Sequence, residues 1–185
     1  MDKQKLQKIA WLCTALLLLA SMICSGYLLY QNQKLKKQQT ELSDYYIQQY
    51  LNELTLATAY AGETDLAQNR SSFISMVEHL EQSIWYYEAA CLRPVRQDWD
   101  NFATSKIYYG ERLAALKEYL YAMPSGEKGE ITAEDVNTIL QDFVTVKNWL
   151  QNRVETEGAY YYTDPVFEEE VLPNLTWTER DLWFE

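Results

Sequence analysis

Residues 9–30 read IAWLCTALLLLASMICSGYLLY and contain no charged side chain. As an α-helix, these 22 residues would be roughly 33 Å long, enough to cross the hydrocarbon core of a bilayer. Trp11, Tyr27 and Tyr30 lie near the ends of the stretch, where aromatic rings favour the membrane interface. The stretch therefore predicts a transmembrane helix in direct contact with the lipid bilayer.

A cleaved signal peptide is the competing interpretation, because Cys24-Ser25-Gly26 has the small-x-small form that can precede a cut. We favour an uncleaved anchor, since the apolar run is long for a signal peptide and continues past Gly26 to Tyr30. Three lysines flank each side, so charge does not decide the orientation. The short N-terminal tail favours a single-pass protein of the cell membrane with a cytoplasmic N terminus and an extracytoplasmic C-terminal domain.

The spacings Ser21-x-x-x-Ser25 and Met22-x-x-x-Gly26 place small residues on the surface of the span, which would allow two spans to pair as a homodimer. Acidic residues outnumber basic ones 27 to 16 over the chain, a formal net charge of -11. Such a chain is repelled by nucleic acid, so no nucleic-acid partner is expected. The single His excludes a metal site built from two histidines, and we predict no cofactor.

The residues after the span predict four helices with apolar residues at alternating steps of four and three. The first helix continues from the span to about Gly62, the second covers about 65–91, the third about 95–122 and the fourth about 132–158. Thr132 and Asp135 form a near capping box at the start of the fourth helix, with Ile131 and Val136 as its hydrophobic staple. The predicted seams are Ile47, Leu51, Leu54, Thr58 and Ala61, then Leu66, Arg70, Phe73, Val77, Leu80, Ile84, Tyr87 and Cys91, then Val95, Trp99, Phe102, Lys106, Tyr109, Leu113, Leu116, Leu120 and Met123, and finally Val136, Leu140, Phe143, Lys147, Leu150 and Val154.

This pattern predicts an all-α fold, in which a transmembrane helix precedes an antiparallel up-down-up-down four-helix bundle. The predicted organisation is a cytoplasmic tail (1–8), the transmembrane helix (9–30), the extracytoplasmic bundle (31–158) and an aromatic, acidic C-terminal segment with short helices (159–185). Three basic residues fall on the predicted seams. They are candidates for a buried polar layer, but we favour the interpretation that their long stems reach the edge of the bundle; they are Arg70, Lys106 and Lys147.

The C-terminal segment carries seven aromatic residues and seven acids against one Arg. Disordered tails seldom hold so many large aromatic rings, so these side chains are expected to pack on the bundle or on a protein partner. The candidate interaction residues are Tyr160, Tyr161, Tyr162, Phe167, Trp177, Trp183 and Phe184.

The layout of an anchor followed by a helical domain resembles the N-terminal region of YpeB-type spore germination proteins. The stretches that carry the resemblance are the anchor, residues 102–120, and Ile131-Thr132-Ala133-Glu134 at the start of a late helix. The resemblance implies a spore-forming, Gram-positive source and assigns no functional residue.

The leading functional hypothesis is a non-enzymatic, membrane-anchored interaction or scaffold protein of a bacterial envelope or sporulation complex, with a protein partner in the membrane or envelope. The alternative is an extracytoplasmic ligand-sensing domain that works with a membrane partner. An enzyme ranks third, because the chain contains no Walker loop, dinucleotide-binding glycine fingerprint, GxSxG elbow or HExxH motif. We therefore predict no catalytic residues and no metal ligands.

Overall fold

The computed structural model describes residues 3–61, 66, 68–91, 103–123, 130–157 and 164–176, and every regular element in these ranges is helical. The all-α prediction is confirmed at this level. The long helices are α1 (Lys3–Thr58), α2 (Arg70–Cys91), α3 (Ala103–Ala122) and α4 (Ala133–Glu157). The short α5 (Asp164–Val166) leads into a π-helical turn (Phe167–Val171) and a 3-10 turn (Leu172–Asn174).

The chain divides into two compact units, Met1–Glu41 and Leu42–Glu185, and α1 contributes residues to both. In the first unit, every side chain from 11 to 30 is exposed, and Trp11 and Leu17 are each 72% exposed. Burying a large apolar side chain gains about 1.5–3 kcal/mol relative to leaving it in water. Within the described residues, α1 is the one helix long and apolar enough to cross a membrane, and it lies near the N terminus.

The second unit has its own hydrophobic core, to which all four long helices contribute. The predicted α2 seam is confirmed from Phe73 to Tyr87, since each seam residue there is buried. Helix α3 contacts α2, α4 and α5. The largest fully buried side chains are Tyr50, Tyr87, Tyr109, Phe73, Phe143, Phe167, Ile47, Leu54, Leu66, Met76 and Leu80.

The ends of α1 and α2 differ from the prediction. Helix α1 ends at Thr58, where the backbone tightens: the amide of Ala61 donates to the carbonyl of Thr58 at 3.0 Å. The predicted stop at Gly62 lies outside the described residues. Helix α2 begins at Arg70 rather than near residue 65, because Asn69 caps it and its Oδ1 accepts from the amide of Ser72 at 3.3 Å. For the third helix, the predicted residues 95–102 also lie outside the described part.

The capping box predicted at the start of α4 is confirmed. The Asp135 amide donates to the Thr132 hydroxyl at 3.2 Å, and the Thr132 amide donates to Asp135 Oδ2 at 2.8 Å. The staple residues Ile131 and Val136 are 3% and 0% exposed. The cap satisfies two polar groups at the helix terminus and fixes the direction in which the chain enters α4.

Thr132→Ala is expected to lower the free energy of unfolding by about 1 kcal/mol, because it leaves the capped amide of Asp135 without its acceptor. The control is Thr145→Ala. The Thr145 hydroxyl donates to the Gln141 carbonyl at 3.0 Å inside the helix, where alanine is the better helix former and the change should be small. Urea unfolding of the full chain in non-ionic detergent measures both, and equal losses would contradict the capping role.

Candidate functional site

The 164–176 segment packs on α3 and α4 and supplies part of the core. Phe167 and Val171 are 0% and 1% exposed. The Phe167 ring meets the Tyr108 and Tyr109 rings of α3 edge-on, with centroid distances of 5.3 and 6.1 Å. The segment is therefore held by its apolar side chains as an integral part of the second unit.

Polar contacts hold the same segment against α4. The Asp142 Oδ1 atom accepts from the Thr176 amide at 2.7 Å and from its hydroxyl at 3.0 Å. The Trp149 indole N–H donates to Glu170 Oε2 at 3.0 Å, and Arg153 Nη1 lies 3.6 Å from the same oxygen. Asp142 is 1% exposed whereas Glu170 is exposed, so the two part-buried bonds that Asp142 accepts from Thr176 hold the segment more firmly than the Glu170 contacts.

Helix α3 carries a buried charged residue next to Tyr108. Arg112 is 2% exposed on α3, and its guanidinium carbon lies 3.1 Å from the centroid of the Tyr108 ring. Its Nη1 donates to the Tyr108 carbonyl at 3.2 Å. Burial lowers the pKa of Arg112, while Tyr108 and the Asp142 carboxylate act in the opposite direction. Buried charges of this kind are expensive unless partnered, and they occur at functional sites and in structural networks alike.

The Tyr108 phenol is kept neutral in this environment. Burial raises its pKa, and the nearby Arg112 charge offsets only part of the rise. The guanidinium lies over the ring face, and the Tyr108 hydroxyl makes no hydrogen bond of good geometry within the described part of the chain. Its neighbour Tyr109 differs, since its hydroxyl lies 2.8 Å from the hydroxyl of Tyr50.

This contrast predicts opposite results for two adjacent substitutions. Tyr108→Phe removes a buried hydroxyl that makes no hydrogen bond of good geometry in the described part of the chain, so the free energy of unfolding should stay the same or rise by up to about 1 kcal/mol. Tyr109→Phe removes the buried hydrogen bond between the Tyr109 and Tyr50 hydroxyls and should lower the stability by about 1 kcal/mol or more. Urea unfolding of the two variants tests the pair, and a larger loss for Tyr108→Phe would contradict the assignment.

A second feature lies on the surface of α1 and α2. Four rings form what we call the aromatic surface cluster: Tyr45, Tyr46, Trp85 and Tyr86. Trp85 is 53% exposed and Tyr45 50%. The Tyr46 and Tyr86 rings meet the Trp85 indole at 81° and 72°, with centroid distances of 6.1 and 5.1 Å, so neither stacks parallel on it. The indole is held in place by two neighbours and remains half open to solvent.

Two glutamates and a glutamine lie next to the aromatic surface cluster along α2. Glu78, Glu81 and Gln82 are exposed and precede Trp85 by seven, four and three residues, which places all four on one face of the helix. Together they line a shallow surface cavity of about 420 Å³. On one side of it, Lys117 Nζ lies 2.8 Å from Glu81 Oε1.

The structure describes only some of the predicted site residues. Of the seven aromatic candidates, Phe167 lies in the core, and the other six lie outside the described residues: Tyr160, Tyr161, Tyr162, Trp177, Trp183 and Phe184. Arg70 is exposed in the first turn of α2, because the Asn69 cap starts the helix there, so it does not belong to a buried layer. Lys147 is half-buried, and the side chain of Lys106 lies outside the described part.

Sequence reasoning missed the buried pair Arg112 and Asp142, because each lies beside a predicted seam position rather than on it. The single histidine, His79, pairs with Glu53, with Nδ1 and Oε2 2.7 Å apart. Among the described residues, no group of three or more His, Cys, Asp or Glu side chains could hold a metal ion.

Comparison of the chain with known protein families, with curated proteins and with solved structures finds no match.

Proposed function

We propose that the protein is a single-pass, membrane-anchored interaction protein, whose helical domain docks a protein partner outside the membrane. The observation that carries the proposal is the contrast within α1. Its side chains from 11 to 30 are exposed and largely apolar, whereas Ile47, Tyr50 and Leu54 are buried in the core of the second unit. The first stretch suits lipid, and the second suits a folded domain in water.

The proposed domain is an up-down-up-down bundle formed by the last part of α1 together with α2, α3 and α4. Contacts between α1 and α2 support the proposal that these two helices run in opposite directions, because residues later in α1 contact residues earlier in α2. The pairs are Ser43 with Ala90, Tyr50 with Tyr87, Glu53 with His79 and Tyr60 with Ser75. Contacts between α2 and α3 likewise support opposite directions for these two helices. The pairs are Tyr87 with Ser105, Glu81 with Lys117 and Phe73 with Tyr119.

The proposed role is docking or scaffolding, with no catalytic step, in an envelope or sporulation complex of a Gram-positive bacterium. In this proposal the chain acts through a partner that it holds outside the cell. Exposed tryptophan and tyrosine side chains support this, because such residues are enriched where proteins contact each other. The aromatic surface cluster offers them on the folded domain itself.

Cross-linking in the native membrane tests the proposal. The tagged full-length protein is cross-linked in cells, purified and analysed by mass spectrometry, after extraction at alkaline pH has tested whether it stays in the membrane. Recovery of a defined set of envelope proteins is expected. Release from the membrane at alkaline pH, or recovery of the chain alone, would overturn the proposal and favour the ligand-sensing alternative, which thermal stabilisation by small molecules would test.

A further inference from the structure

We propose that the outward face of α2 formed by Glu78, Glu81, Gln82 and Trp85, backed by the aromatic surface cluster, binds a cationic segment of the partner through its arginine or lysine side chains. This inference rests on the proposed function and names the surface and the partner chemistry. On this face Trp85 supplies an aromatic ring, and Glu78 and Glu81 supply carboxylates seven and four residues before it. An aromatic ring beside carboxylates suits a ligand side chain with a charged head and an apolar stem.

Trp85 supplies the ring. Tryptophan is the aromatic residue that attracts cations most strongly, and a guanidinium within about 6 Å of its centroid is stabilised by the ring quadrupole. Tyr46 and Tyr86 hold the indole from its sides without stacking on it. A ring fixed in this way loses little conformational entropy when a ligand binds.

The carboxylates supply charge and direction. Glu78 and Glu81 lie one turn apart on the same face as Trp85, and both are exposed. The cavity that they line with Gln82 and Trp85 measures about 420 Å³, within the range of about 300–1,000 Å³ that binding sites occupy. A carboxylate accepts two hydrogen bonds from one guanidinium, which favours arginine over lysine as the occupant.

Charge across the chain selects the same class of occupant. Residues 31–185 hold 13 basic and 26 acidic side chains, a formal net charge of -13. An acidic peptide, a nucleic acid or an anionic lipid would be repelled by this surface. Residues 159–185 of the chain itself carry seven acids and one Arg, so they are the wrong occupant too.

At one edge of the face, Lys117 already forms an ion pair with a carboxylate of the proposed binding surface. Its ammonium lies 2.8 Å from Glu81, whose side chain remains 57% exposed. The carboxylate thus has room for a second cation, and Lys117 competes with an incoming one. Removing the lysine should therefore strengthen binding, which is a gain that partial unfolding would not produce.

The test measures the dissociation constant of a fluorescent arginine–glycine repeat peptide by anisotropy, with the full-length protein in nanodiscs of zwitterionic lipid. The control peptide has citrulline in place of arginine. We expect Trp85→Ala to weaken binding about tenfold and Glu78→Gln about threefold. The matched pair on the exposed face of α3, Tyr121→Ala and Glu118→Gln, should leave binding unchanged.

Lys117→Gln should tighten binding about two- to threefold, and Lys37→Gln should not. Lys37→Gln changes the net charge by the same amount as Lys117→Gln. It removes the ion pair between Lys37 Nζ and Glu41 Oε1, which lie 3.8 Å apart with no aromatic ring in the pair. Equal binding of the citrulline peptide, or equal losses for Trp85→Ala and Tyr121→Ala, would overturn the inference.

Cross-linking with the Trp85→Ala and Glu78→Gln variants separates this inference from the proposed function. If the same envelope proteins are recovered with both variants as with the unaltered chain, the docking face is wrong while the interaction role stands. If the unaltered chain recovers no partner, the interaction role itself fails. Selective loss of a partner with Trp85→Ala but not with Tyr121→Ala supports both.

Discussion

Replacing Arg112 with methionine is expected to lower the free energy of unfolding by about 3–5 kcal/mol, because it removes a buried charge that interacts favourably with the Asp142 carboxylate and the Tyr108 ring. Methionine keeps most of the apolar stem, so the lost volume contributes little. Arg112 is 2% exposed and Asp142 1% exposed, so water cannot replace the missing charge without opening the core. The 164–176 segment should loosen as well, because Asp142 also accepts two hydrogen bonds from Thr176.

Urea unfolding of the full chain in non-ionic detergent, followed by near-ultraviolet circular dichroism, measures this effect. Arg70→Met is the matched control, since Arg70 is exposed and the change should stay within about 0.5 kcal/mol. The double variant Arg112→Met with Asp142→Leu should lose less stability than the sum of the two single variants, because it removes both charges. A loss below about 1 kcal/mol for Arg112→Met would mean that the pair is not buried as described.

Phe167→Ala is the second large effect, with an expected loss of about 3–5 kcal/mol. The side chain is 0% exposed and contacts the rings of Tyr108 and Tyr109, so its removal leaves a cavity between the 164–176 segment and α3. Without this contact, the segment would depend on Val171 and on the hydrogen bonds to α4. We expect it to detach locally before the rest of the unit unfolds.

Hydrogen exchange detects this local detachment, and urea unfolding gives the total loss. The control is Leu172→Ala in the same segment, where the side chain is 39% exposed and the loss should be about 1 kcal/mol or less. Faster exchange confined to residues 164–176 in Phe167→Ala is the expected pattern. Uniform exchange throughout the second unit, or equal losses for the two variants, would contradict a segment held mainly by Phe167.

The helical periodicity carried most of the fold that could be predicted. On α2 the predicted seam is correct from Phe73 to Tyr87, where apolar side chains recur at helical spacing. On α1 the predicted seam is correct at Ile47, Leu54 and Thr58 but incomplete, since Ser43, Tyr50 and Ala57 are buried too. Serine and tyrosine count as polar in a hydrophobicity pattern, so the pattern does not predict their burial. They are stable in the core because groups on other helices form hydrogen bonds with their hydroxyls.

The candidate sites were less predictable for a related reason. Arg112 belongs to the core only because α4 supplies Asp142 and α3 supplies the Tyr108 ring beneath it, and no spacing within one helix reveals such a meeting. Trp85 was visible in the sequence as part of an aromatic stretch. Its exposure follows from the rotation of α2 against its neighbours, which depends on the whole packed unit.

The position of Phe167 in the core has a consequence for how the protein is made. The helices are synthesised first, and the aromatic ring that closes the gap beside Tyr108 and Tyr109 comes more than fifty residues later. At a synthesis rate of about 5–20 residues per second, the apolar side of α3 stays uncovered for seconds during synthesis. Over that interval the unfinished domain would depend on chaperones for protection.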